Sequence, residues 1–134
     1  TLNEKLRNSV PLDGQEMKWV EQLDKALNKL PKYQGDLTRS LYFESAGALR
    51  EFMKDYQPDN VIQYSQYLST TIGDMYNPKG QVQFYIYDAI RGKDLTKYNP
   101  GEAEVLYQRN SNFKVIAVEL INGVYHILLE ELET

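Results

Sequence analysis

Glu102 and Glu104 stand two residues apart where a turn runs into an apolar stretch, within Pro100-Gly101-Glu102-Ala103-Glu104-Val105-Leu106. In an extended strand such a pair points to one face, about 6–7 Å apart. Like charges on one face repel, and on a solvated strand edge such a pair is ordinary surface charge. Chemistry therefore requires partners from elsewhere in the chain. Arg39 lies in an alternating segment, Leu37 to Phe43, on the same face as Leu37 and Leu41. It is either a rim residue whose stem lies on apolar surface or a buried anion holder. Ser69, Thr70 and Thr71 close a second extended segment, residues 64–71. Hydroxyls there commonly satisfy backbone groups.

Composition narrows the chemistry. The 134 residues fit one domain, 1–134, with a single core. With no cysteine, disulfides, thiolate catalysis and Cys-based zinc sites are excluded. The single histidine, His126, makes a His-rich metal site improbable and reads as structural, so no metal is expected. A formal net charge of −4 without a basic run argues against nucleic acid as a partner. No apolar run is long enough to span a membrane, and no signal-peptide pattern opens the chain. The first residue is Thr rather than Met, so the chain is expected to be either a domain excised from a longer chain or a mature fragment.

Leu2 and Leu6 predict a short amphipathic helix over residues 1–9. Asp13 and Glu16 form a capping pair for a second helix running to about Pro31, whose Met17, Trp19, Val20, Leu23, Leu27 and Leu30 are expected to pack into the core. Ser45 can cap a third helix ending before Pro58. Residues 72–80 read as a loop. Residues 81–90 read as a strand with Val82, Phe84, Ile86 and Asp88 on one face, and residues 91–101 as a polar loop leading to the acids. Residues 113–121 and 124–129 flank Asn122-Gly123, a two-residue hairpin signal. Helices first and strands after, with one helix between, predict an α+β domain of mainly antiparallel strands.

Taken in order, Leu37-Thr38-Arg39, Tyr67-Leu68-Ser69-Thr70-Thr71 and Glu102-Ala103-Glu104-Val105-Leu106 resemble the Arg, Ser-Thr-Ser, Glu-X-Glu signature of toxin-like mono-ADP-ribosyltransferases. The similarity extends through Leu30-Pro31 and Gly35 to Arg109 and Phe113-Lys114-Val115, and so covers most of the chain. It implies two packed sheets around an NAD cleft, with N-terminal helices. It implies NAD as co-substrate, transfer of ADP-ribose to a target protein, and a secreted enzyme. Glu104 would stabilise the sugar cation and Arg39 would grip the NAD phosphates. Ser69 would hold Glu104 and the ribose, with Thr70 and Thr71 supporting the strand. Glu rather than Gln at 102 implies an arginine acceptor, met by the 91–101 loop through Tyr98. Thr71 replaces the last Ser of the motif, and residues 72–80 are shorter than the covering segment of many relatives, where Tyr76 would supply a stacking ring. A shortened cover admits water, so NAD glycohydrolase activity is the alternative within enzymes, and an inactive binding module of the same fold is the alternative outside them.

Overall fold

The computed structural model describes residues 1–73, 79–98 and 101–133. Three helices precede or interrupt eight strands: α1 (Leu2–Arg7), α2 (Gly14–Lys29), β1 (Gly35–Leu41), α3 (Ala46–Met53), β2 (Val61–Tyr64), β3 (Leu68–Ile72), β4 (Val82–Ala89), β5 (Lys93–Asp94), β6 (Glu104–Tyr107), β7 (Ser111–Ile121) and β8 (Val124–Glu131). The expected α+β class holds. Asp13 and Glu16 make the expected capping box on α2, each side chain bonding the other's backbone N–H, and Ser45 caps α3. Asn122 and Gly123 both take positive φ, 51° and 81°, which two-residue hairpin turns of this sequence favour.

The strands form one hydrogen-bonded ladder in the order β2-β7-β8-β4-β1-β3-β6-β5. Only β4 and β8 run parallel among the described pairs. The two packed sheets implied by the resemblance are leaves of this single curled sheet, joined at a short seam in which β1 meets β3 through Leu37↔Ile72 and Thr38↔Thr71. Curling brings distant strands face to face: the ring of Tyr107 on β6 lies 5.0 Å from that of Phe113 on β7. Phe113 is fully buried and also meets Tyr64 edge-on. Leu37, Val82, Phe84, Ile86, Val105, Ile127 and Leu129 complete the interior.

Four sequence expectations change. Met17 and Trp19 are 60% and 52% exposed, because α2 buries only the line through Val20 and Leu27, and Trp19 lies about 100° around the helix from Val20. The extended segment 64–71 is broken between β2 and β3, where α1 intrudes: Ser65 Oγ donates to the Leu6 carbonyl, and the Asn3 amide pairs with both backbone groups of Tyr67. Asp88 leaves the Val82 face at φ 55°, and Ala89 takes the buried place. The register against β1 shifts there, with Gly35 opposite Ala89 but Leu37 opposite Ile86. Finally, the polar 91–101 loop contains β5, whose Lys93 is buried and aims Nζ at the Asn28 and Leu30 carbonyls at the end of α2. Burial lowers the Lys93 pKa, and Lys32 lowers it further.

His126 is structural as expected, stacked on Tyr85 with Nδ1 2.9 Å from its hydroxyl. Phe113 closes the curl, so Phe113→Ala should cost about 3–5 kcal/mol of unfolding free energy. Urea denaturation measures it, and a loss below about 1 kcal/mol would mean the leaves do not depend on this contact.

Candidate active site

At the seam the leaves separate. Beyond Thr38, β1 continues against β4, with Arg39↔Phe84 and Ser40↔Gln83, while β3 continues against β6, with Ser69↔Leu106 and Leu68↔Tyr107. Ile72 N–H donates to the Ala103 carbonyl, so the alternation of an antiparallel strand turns the backbone groups of Ser69 toward β1. β1 has peeled away at that level. The Ser69 carbonyl would lack a ladder partner, and Arg39 supplies one: Nη1 donates to it at 2.8 Å.

The side chain of Ser69 does a second job. Its Oγ donates to Glu104 Oε2 at 2.5 Å, a charge-assisted bond that fixes the carboxylate's orientation. Arg39, Ser69 and Glu104 therefore form one connected unit from three strands. By register Arg39 shares the interior face with Phe84, whereas Ser69 and Glu104 stand on the opposite face. Burial lowers the Arg39 pKa, and Arg7 of α1 lowers it further by repulsion. Among the described residues neither guanidinium has a carboxylate ion pair. Guanidiniums without a carboxylate partner, close enough to repel one another, suit a polyanion such as a diphosphate.

The remaining residues fall into place unevenly. Thr71 shares a register row with Glu104 and with Thr38, which is buried. Thr70, expected to support the strand beside the cofactor site, is 2% exposed and gives its hydroxyl to the Val105 carbonyl at 2.7 Å, so it ties β3 to β6 inside the core and does not reach the cleft. Glu102 is exposed and lies before β6, which begins at Glu104. The two acids are thus not a same-face strand pair. The strand's inward residues are Val105 and Tyr107. Tyr98 is 66% exposed at the far end of the 91–98 stretch. Tyr76 lies outside the described residues. No group of three His, Cys, Asp or Glu that could hold a metal occurs among the described residues.

Sequence reasoning missed Arg7 and a clamp at the other end of the β3–β6 pair. Asp24 on α2 accepts from the Tyr67 hydroxyl at 2.6 Å and from Arg109 Nε at 2.8 Å, with Nη2 2.7 Å away. These three residues come from separate regions, and nothing local in the sequence links them. Arg7 was legible only as a charge beside an apolar stripe.

No family model matches the chain. It is 28% identical over 137 residues to the NAD(+)–protein-arginine ADP-ribosyltransferase Tre1 of Serratia proteamaculans (strain 568), covering 98% of this chain and 28% of that protein. The chain therefore spans just over a quarter of the length of that curated relative. Among solved structures it is similar to Vis toxin, an ADP-ribosyltransferase from Vibrio splendidus, with a TM-score of 0.73 at 21% identity over 99% of this chain and 66% of that one. It is also similar to the ADP-ribosyltransferase HopU1 of Pseudomonas syringae pv. Tomato DC3000, with a TM-score of 0.80 at 16% identity over 98% of this chain and 63% of that one. The Clostridium limosum C3 exoenzyme gives a TM-score of 0.75 at 18% identity over 98% of this chain and 78% of that one. The chain has the fold of the toxin-like mono-ADP-ribosyltransferases.

Arg39→Met keeps the stem and removes the donor, leaving the Ser69 carbonyl unpaired. It should lower unfolding free energy by about 1.5–3 kcal/mol, read by urea denaturation. Unchanged stability would show that the seam does not rely on the guanidinium.

Proposed function

We propose that this domain cleaves NAD and transfers ADP-ribose to an arginine side chain of a target protein, releasing nicotinamide. The observation that carries the reading is the Ser69 Oγ to Glu104 bond at 2.5 Å, held from behind by Arg39. The curated relative, at 28% identity, is named for transfer to protein arginine, and a Vis structure contains agmatine, a small guanidino compound.

The bond that breaks joins the ribose C1′ to the nicotinamide nitrogen, whose electron pair leaves with neutral nicotinamide. The sugar becomes an oxocarbenium-like cation. A carboxylate about 4 Å from that cation contributes roughly 4 kcal/mol at an effective dielectric of about 20, or about a thousandfold in rate when the charge exists only in the transition state. Glu104 is the acid placed for this, because Ser69 orients it and leaves its other oxygen for a ribose hydroxyl. Arg39 and Arg7 take the diphosphate, and Thr71 lies beside the ribose. The exposed Glu102 takes a proton from the acceptor guanidinium, and the nitrogen so freed attacks C1′ to form the new bond. Tyr98, on the same excursion of chain, faces the target protein. With water in place of the guanidinium the same site hydrolyses NAD. Export to reach a foreign target belongs to the same reading, supported by the likeness to toxin-like enzymes.

The two acids separate the steps. Glu104→Gln should lower both nicotinamide release and agmatine labelling by about a thousandfold. Glu102→Gln should retain nicotinamide release and lose agmatine labelling. Nicotinamide release and incorporation of labelled ADP-ribose measure the two. Identical behaviour of the variants would remove the division of labour, and labelling of a side chain other than arginine would remove the acceptor assignment.

A further inference from the structure

The excursion that carries both acids begins after Ala89 at the end of β4, touches the sheet again through β5 and ends in β6 at Tyr107. Both of its ends are held by one oxygen. Glu131, the last residue of β8, accepts on Oε1 from the backbone N–H of Ile90 at 2.7 Å, from that of Arg91 at 3.4 Å, and from the Tyr107 hydroxyl at 2.9 Å. Its Oε2 is buried without a hydrogen-bond partner among the described residues. Three donors converge on this side chain, and the group that satisfies them must be acceptor-only. An amide in its place would aim an NH2 either at those donors or into a buried site with no acceptor.

The root of the excursion has little slack around this oxygen. A Cβ at Gly92 would stand 2.4 Å from Val105 Cγ1 and 3.3 Å from the Tyr107 ring, so the backbone there lies directly on β6. The Gly92 carbonyl accepts from Tyr33 N–H, and Asp94 N–H donates to the Pro31 carbonyl. The start of the excursion is therefore fixed against the strand that begins with Glu104.

We propose that Glu131 is a positioning residue for the acceptor step: by tying residues 90–91 to Tyr107 through one carboxylate oxygen, it sets where Glu102 and the exposed Tyr98 stand relative to Glu104. The Glu104 carboxylate is held by Ser69, which Arg39 ties in turn, and neither of these bonds involves Glu131, so disturbing Glu131 misplaces the acceptor side first and leaves the NAD side in order. This rests on the transferase reading above.

The test uses the full chain and two conservative variants, Glu131→Gln and Tyr107→Phe. Nicotinamide release without acceptor and ADP-ribosylation of agmatine are followed over a range of NAD and agmatine concentrations. Both variants should raise the KM for agmatine by about tenfold, since small misplacements of reacting groups cost at least that much. The KM for NAD and acceptor-free nicotinamide release should stay within about twofold of the unmodified chain. A parallel fall of both activities would show that Glu131 only supports the fold, and an unchanged agmatine KM would show that it does not position the loop. If Glu131→Gln does not fold, Tyr107→Phe decides between these results. An unmodified chain that cleaves NAD without labelling agmatine overturns the transferase reading itself, and this proposal with it, before any variant is compared.

Discussion

The site depends on one bond, from the Arg39 guanidinium to the carbonyl of Ser69. A sheet that splits into two leaves exposes backbone groups at the split, and a carbonyl without a partner costs about 1–3 kcal/mol when buried. Filling the gap with a third strand would abolish the cleft. A guanidinium satisfies the carbonyl, keeps the leaves apart and retains further N–H donors in a planar fork. Those remaining donors are the ones the proposed NAD reading assigns to the diphosphate.

The rest of the scaffold holds that split open at a fixed width. Below it, Tyr107, Phe113 and Tyr64 pack edge to face and bind the curled leaves through the core. Beside it, α1 presents Asn3 to both backbone groups of Tyr67, and α2 presents Asp24 to its hydroxyl and to Arg109. Tyr67 lies two residues before Ser69, so these helices set the start of β3 and with it the Ser69–Glu104 bond. The N-terminal helices thus bear on the site through hydrogen bonds more than through apolar packing, consistent with the exposure of Met17 and Trp19.

How much was legible in the sequence follows from which interactions are local. The Asp13–Glu16 cap, the Ser45 cap and the Asn122-Gly123 turn are determined within a few residues, and each forms as read. Arg39, Ser69 and Glu104 were singled out by the resemblance that their motifs carry in order, and the structure brings them into one bonded unit. The misreadings share a cause. Strand alternation placed Glu102 with Glu104 and Asp88 with Ile86, but pairing begins at Glu104 and a positive φ interrupts β4 at Asp88. Lys93 read as part of a polar loop, and nothing local drew notice to Glu131, because their partners, the last carbonyls of α2 and the root of the 91–98 stretch, lie far away in the chain. Periodicity reports a side chain's face, and only the fold reports who waits on the other side.

The most direct test is a crystal structure of the domain with a hydrolysis-resistant NAD analogue. The account predicts the nicotinamide ribose against Glu104, with a ribose hydroxyl within hydrogen-bonding distance of its carboxylate, and the diphosphate on Arg39 and Arg7. An analogue bound elsewhere, or bound at the seam with its diphosphate away from both guanidiniums, would contradict it.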